Sequence, residues 1–82
     1  MQLFITTTAT AAVLGWTSAD YRALRRCLKP ALPIQRGHHT GRGRTPDFTE
    51  LTATLNWLNQ ILANGLSPYQ AQRLTDHAVH LN

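Results

Sequence analysis

The stretch ATAAVLGWTSADYRALRRCL, residues 9–28, carries the strongest structural signal in the sequence. In it the small residue Ala11 precedes Gly15 by four positions, and the apolar residues Tyr21 and Leu24 follow the glycine. Two helices that cross at a steep angle need a small residue at their contact and a left-handed corner between them. The spacing therefore predicts a helix, a tight turn and a second helix.

The ends of these two helices are marked by residues that cap or terminate a helix. The first helix is predicted over about residues 8–14, with threonines before it as caps and Gly15 as its end. The second helix is predicted to follow the N-cap Thr17 and to reach Cys27 or Leu28.

The segment RGHHTGRGRTPDF, residues 36–48, combines three arginines, three glycines and two adjacent histidines. This composition is compatible with a phosphate cradle, a metal loop, a disordered linker or the tip of a two-stranded β-wing. No G-K-[ST] sequence follows the glycines, which argues against a phosphate-binding P-loop. Residues 33–36 can form a short strand, and Pro46 keeps the returning strand short or at an edge, because proline cannot donate to a ladder. We therefore interpret residues 36–44 as a wing, with a flexible linker as the alternative.

The clearest predicted helix is the third. Asp47 stands at its N-cap position and Glu50 three residues later, which is the spacing of a capping box. Its apolar residues recur at intervals of three and four; they are Phe48, Leu51, Leu55, Leu58 and Leu62, with Trp57 and Ile61 beside them. Residues 64–65, Asn-Gly, are expected to end it.

A fourth helix is predicted directly after this turn. Ser67 is its N-cap, Pro68 takes the first turn, and Gln70 completes an S-x-x-Q capping box. Its apolar side is expected to consist of Tyr69, Leu74, Ala78 and Leu81. We identify no internal repeat, so the predicted order is helix, helix, wing, helix, helix in a single domain, residues 1–82.

Positive charge is concentrated in the middle of the chain. The protein has 82 residues, a formal net charge of +4 and a pI near 10.3. Seven of the eight basic residues lie within residues 22–44, with no acidic residue between them: Arg22, Arg25, Arg26, Lys29, Arg36, Arg42 and Arg44. One strongly positive face is therefore expected, and arginine suits contacts to phosphate and guanine.

Several classes of protein are disfavoured by the composition. The single cysteine, Cys27, excludes an internal disulfide, and a protein without disulfides is expected in the reducing cytoplasm. No apolar run approaches the ~20 residues that a membrane span needs. Only four acidic residues are present, and His77 and His80 lack the further ligands of a zinc site. We expect a cytoplasmic protein with no membrane association, no enzyme activity, no cofactor and no metal.

The sequence resembles known DNA-binding modules. Residues 9–28, together with Leu32–Pro33, Arg36–Gly37 and Asp47, resemble the winged-helix modules of the MerR-type and excisionase-like superfamily. They are also similar to the N-terminal DNA-binding domain of phage small terminase subunits. The segment LTATLNWLNQILANGLSPYQAQRLTDHA, residues 51–78, resembles the helix, turn and fourth helix of the MerR-type module. The likeness covers nearly the whole chain.

The resemblance implies a mainly α fold with a small two-stranded β-wing, a winged helix-turn-helix, that binds double-stranded DNA. The second helix would lie in the major groove, and the wing on the DNA backbone or in the minor groove. The residues expected to contact DNA are Thr17, Ser18, Arg22, Arg25, Arg26, Arg36, His38, His39, Arg42 and Arg44. Tyr21 and Trp16 are expected in the core.

Such a protein would be a small transcriptional regulator or an excisionase-like architectural factor of phage or mobile-element type. The alternative is a protein-interaction module that inhibits or recruits a host or phage protein, including a DNA-packaging adaptor. Because a single DNA-binding domain of this size binds weakly, we expect cooperative assembly or a homodimer through the last two helices. The partner surface would be the exposed parts of LNWLNQIL and HAVHLN, residues 55–62 and 77–82. The long dimerising helix of MerR-type regulators has no counterpart, so we expect neither a coiled-coil dimer nor effector sensing.

Overall fold

Four helices and a three-stranded antiparallel sheet are present in the computed structural model, which describes residues 2–28, 32–36 and 47–80. The strands are β1 (Phe4–Thr6), β2 (Gln35–Arg36) and β3 (Asp47–Glu50), and the helices are α1 (Thr7–Leu14), α2 (Ser18–Cys27), α3 (Leu51–Ile61) and α4 (Pro68–His77). The predicted mainly helical architecture with a small antiparallel sheet is confirmed, and the helices follow one another in the predicted order.

The turn between α1 and α2 is built as the sequence predicts. Gly15 takes the left-handed conformation with φ 76°, and its N–H donates to the carbonyl of Ala12 at 3.2 Å. The N–H of Trp16 donates to the carbonyl of Ala11 at 2.9 Å, so the last carbonyls of α1 are satisfied in a Schellman motif. The Thr17 side chain then accepts from the backbone N–H of Asp20 at 3.0 Å and caps α2.

Gly15→Ala should lower the free energy of unfolding by about 1 kcal/mol, because an L-residue is strained in the left-handed region. A methyl group at this position would meet no atom within 4 Å, so the backbone strain acts alone. Gly15→Asn is the matched variant, since asparagine tolerates this conformation better than alanine. Urea unfolding should rank the stabilities glycine, asparagine, alanine, and an alanine variant as stable as the native protein would contradict the turn geometry.

The sheet contains a strand that the sequence did not predict. β1 pairs antiparallel with β3, which pairs antiparallel with β2, so the strand order is β1-β3-β2 and the sheet has three strands rather than two. The other edge of β1 is also occupied, since Phe4 and Val79 exchange two backbone hydrogen bonds of 2.7 Å. The segment after α4 therefore closes the first edge of the sheet.

The predicted start of the third helix was wrong, because a strand occupies its first residues. Asp47 does not cap a helix but is the first residue of β3. The cap of α3 is Glu50, whose carboxylate accepts from the backbone N–H groups of Thr52 at 2.8 Å and Ala53 at 3.1 Å. Residues 47–50 are extended because they pair with β1 on one side and with β2 on the other.

The two strand–helix junctions repeat each other in sequence and in geometry, although no internal repeat was identified from the sequence alone. When residues 4–14 are aligned with residues 48–58, five pairs of residues are identical: Phe4 and Phe48, Thr8 and Thr52, Ala9 and Ala53, Thr10 and Thr54, and Leu14 and Leu58. In both units the strand runs directly into its helix. Thr10 donates to the carbonyl of Thr6 at 2.9 Å, and Thr54 donates to the carbonyl of Glu50 at 2.7 Å.

The pairing of β1 with β3 relates these two units by an approximate twofold axis. Phe4 pairs with Glu50 and Thr6 pairs with Phe48, so each partner pair is the counterpart of the other. The axis passes through the central pair, Ile5 and Thr49. Each half of the chain thus contains one such unit followed by a further helix, α2 in the first half and α4 in the second.

One core joins the two halves. Its buried members are Ile5, Ala11, Tyr21, Leu32, Leu51, Trp57, Leu58 and Leu74. Tyr21 lies in this core as predicted, and Trp16 packs against it partly buried. Tyr69 was expected on the apolar side of α4 but is 70% exposed, and Leu81 lies outside the described residues.

The fourth helix confirms its predicted start. Ser67 accepts from the N–H of Gln70 at 3.1 Å, and the Gln70 side chain accepts from the N–H of Ser67 at 3.1 Å. Pro68 is the first helical residue, where its missing N–H removes no hydrogen bond. Within the described ranges, no helix is long and apolar enough to cross a membrane.

Candidate nucleic-acid interface

The outer face of α2 is polar and carries two arginines that reach solvent. Tyr21 lies on the inner face of α2, in the core. On the outer face Arg26 is exposed and the Arg22 side chain is 32% exposed. Ala19 and Asp20 are exposed in the first turn, so this face presents a mixture of small, acidic and basic side chains.

Asp47 joins α2 to the first residue of β3. One of its carboxylate oxygens, Oδ2, lies 3.4 Å from Nε of Arg22 and 3.5 Å from Nη2 of Arg25. The backbone of Asp47 pairs with Arg36 of β2, and the predicted wing lies between these two residues in the chain. A single carboxylate therefore connects two arginines of α2 with the base of the β2–β3 pair.

Arg25 is an interior residue, which corrects its predicted role in contacting DNA. It is 6% exposed, and its Nη1 donates to the hydroxyl of Thr7 at 3.0 Å. Its guanidinium carbon lies 5.1 Å from the centre of the Tyr21 ring. With its charged group held between Thr7, Tyr21 and Asp47, Arg25 cannot reach bases or phosphates in this conformation. Its spacing was the available signal, since Arg25 follows Tyr21 by four residues and precedes Leu28 by three, which places it beside the apolar side of the helix.

Tyr21 is fully buried, with the Arg25 guanidinium over its ring. Burial raises the pKa of Tyr21 from 10.0 to about 12, and the positive charge of Arg25 opposes this shift. The Tyr21 hydroxyl and Nε of Arg25 are buried, and neither forms a hydrogen bond within the described part of the chain. The rings of Tyr21 and Trp57 pack nearly perpendicular to each other, with their centres 6.3 Å apart. The buried charge of Arg25 is therefore stabilised by few polar contacts.

The other predicted contact residues fall into three groups. Thr17 is exposed as the cap of α2, and Ser18 is half-buried beside it. The backbone of Arg36 lies in β2, whereas its side chain is outside the described part of the structure. Four predicted contacts lie outside the described residues: His38, His39, Arg42 and Arg44.

Three of the four acidic residues of the chain are engaged by other groups of the protein. Asp47 faces Arg22 and Arg25, Glu50 caps α3, and Asp76 accepts from Gln72 at 2.8 Å. Asp20 is the exception, because it is exposed in the first turn of α2. There it complements the positive end of the helix dipole. On the outer face of α2 the charge of Arg22 is thus offset by Asp47, whereas Arg26 is exposed.

The segments whose exposed parts were predicted as a partner surface keep most of their apolar side chains buried or half-buried. Of the segment 55–62, Trp57 and Leu58 are buried in the core and Leu55 is half-buried. In the described part of the segment 77–82, Val79 is 46% exposed although its backbone pairs with Phe4. Among the described residues, the surface that these segments expose is therefore mainly polar, with Val79 as its large apolar side chain.

Asp47 is the functional candidate to which the sequence pattern assigned the wrong role. The scarcity of acidic residues was the available signal, since a carboxylate next to a basic face is the expected ion-pair partner for it. No protein family, no curated protein and no solved structure matched this chain.

Proposed function

We propose that this protein is a winged helix-turn-helix protein that binds double-stranded DNA through α2 and the segment 36–44. The observation that carries the proposal is the order of α1, a glycine turn, α2 and an antiparallel strand pair, with Arg22 and Arg26 on the outer side of α2. An α-helix fits the major groove, and flanking arginines contact phosphates or guanine.

The separation of inward-facing and outward-facing side chains on α2 supports this assignment. Tyr21 and Arg25 are turned inward and fix the helix to α1 and β3, while Arg22 and Arg26 are available to an external partner. A rigidly held helix with an accessible basic face is what recognition of a duplex requires. The seven basic residues within 22–44 add positive potential along the same part of the chain.

Binding of a labelled random duplex, measured by fluorescence anisotropy across a salt series, tests the proposal. The logarithm of the association constant should fall linearly with the logarithm of salt concentration, because cations are released from each neutralised phosphate. The double variant Arg22→Ala/Arg26→Ala should reduce this slope by about two, at roughly 0.9 for each phosphate that is no longer neutralised.

Arg73→Ala is the control for charge alone. Arg73 lies on α4, where its guanidinium carbon is 6.0 Å from the centre of the exposed Tyr69 ring. Because this residue lies outside the proposed interface, its replacement should leave the salt slope unchanged. No binding of the native protein at low salt would overturn the DNA proposal and favour a protein partner. A slope insensitive to Arg22 and Arg26 would instead show that α2 is not the recognition helix.

A further inference from the structure

We propose that Asp47 is a positioning residue for sequence preference, because it holds the guanidinium of Arg22 in one orientation on the outer side of α2. This inference rests on the proposed function. It extends the proposed function, because it assigns to an acidic residue of β3 a role in the DNA sequence preference of α2.

The carboxylate that would hold Arg22 is itself fixed from two other directions. Its backbone pairs with Arg36 in the β2–β3 pair, and its Oδ2 faces the buried guanidinium of Arg25 at 3.5 Å. Arg25 is in turn held by Thr7 at 3.0 Å. The Asp47 side chain is only 11% exposed, so its oxygen is a fixed point on the surface of α2.

The contact with Arg22 uses the nitrogen nearest the backbone. Nε of Arg22 lies 3.4 Å from Oδ2 of Asp47, and no hydrogen bond joins its terminal nitrogens to any described residue. The Arg22 side chain is 32% exposed. An arginine held at Nε presents Nη1 and Nη2 outward, and this end matches the O6 and N7 acceptors of guanine. Holding it in advance lowers the conformational entropy lost on binding.

Asp47→Asn tests this role, since asparagine keeps the size and backbone pairing of the residue but removes its charge. A preferred site is first selected with the native protein from a pool of randomised duplexes. Affinity for that site and for a random duplex is then measured for each variant. In Asp47→Asn the ratio of the two affinities should fall about tenfold, which corresponds to the removal of one bidentate interaction with a base. Affinity for the random duplex should not fall, because one negative charge has been removed beside the DNA.

A merely structural role of Asp47 would give a different pattern. Loss of folding alone would lower both affinities by the same factor and leave their ratio unchanged. Asp76→Asn is the matched control, since it makes the same chemical change on the exposed side of α4, and its ratio should equal that of the native protein. In an Arg22→Ala background, Asp47→Asn should change the ratio no further.

Arg22→Lys is the second test and leaves the interaction between Arg25 and Asp47 in place. Lysine keeps the charge but has no Nε and no fork, so it should retain affinity for the random duplex and lose the preference for the selected site. If the native protein binds no duplex, both proposals fail. If it binds but selects no site, or if Asp47→Asn and Arg22→Lys keep the native ratio, the positioning role of Asp47 is overturned and DNA binding stands.

Discussion

Arg25→Ala should lower the free energy of unfolding by about 3 kcal/mol, because removing one partner of a buried ion pair leaves the other uncompensated. The substitution removes the partner that the buried Thr7 hydroxyl has at 3.0 Å. It also removes one of the two cations beside Asp47 and the stack on the Tyr21 ring. Arg22 remains next to Asp47, which keeps the expected destabilisation at the lower end of the range for such pairs.

Arg26→Ala is the matched control, since it removes the same charge from the next, exposed position of α2. We expect it to change the free energy of unfolding by less than about 0.5 kcal/mol. Arg25→Lys should fall between the two, because an ammonium cannot reproduce the planar fork that contacts Thr7 and Asp47 together. Urea unfolding followed by circular dichroism measures all three. Equal destabilisation by Arg25→Ala and Arg26→Ala would show that Arg25 is not buried in solution.

The elements that the sequence predicted well are those whose ends are set by neighbouring residues. The turn at Gly15, the cap at Thr17 and the capping box of Ser67 and Gln70 each involve residues no more than five apart. Such local hydrogen bonds depend little on the rest of the fold. The corresponding helix starts and ends were therefore predicted within one residue.

The features that were missed depend on contacts between distant parts of the chain. Asp47 and Glu50 fit a capping box, yet pairing of residues 47–50 with β1 places the helix start three residues later. β1 was missed because three residues of apolar and threonine side chains carry little strand signal until a partner strand is known.

The candidate site shows the same limit. The arginine-rich stretch predicted a basic face, and the spacing of Arg25 from Tyr21 and Leu28 placed it only at the border of the apolar side. The burial of Arg25 and its contact with Thr7, 18 residues away, distinguish it from Arg22, which also faces Asp47. The ion pair that organises the outer face of α2 is therefore a property of the fold rather than of the helix.

The stability of the native protein should fall as pH rises from about 10 to about 12, because burial raises the pKa of Tyr21 to about 12 from its usual 10.0. In this window the unfolded chain loses the phenolic proton while the folded protein retains it. The unfolded state therefore binds fewer protons, and the free energy of unfolding declines with pH. Below pH 10 Tyr21 is protonated in both states and contributes no slope. A shift of two units corresponds to about 3 kcal/mol at the upper end of the window.

Tyr21→Phe should remove this part of the alkaline destabilisation and leave stability at neutral pH unchanged or higher. The buried hydroxyl forms no hydrogen bond within the described residues, so its removal releases a desolvated polar group without breaking a hydrogen bond to any of them. Urea unfolding of both proteins at neutral pH and between pH 10 and 12 gives the two slopes.

Tyr69→Phe removes the other of the two tyrosines, so the tyrosinate absorbance of that variant reports Tyr21 alone. Parallel alkaline destabilisation of the native protein and of Tyr21→Phe would show that this phenol is not the group responsible. A tyrosinate signal appearing near pH 10 in folded Tyr69→Phe would show that the Tyr21 ring is hydrated. In that case Arg25, which lies against the same ring, would also be accessible, and its replacement should then be tolerated as well as that of Arg26.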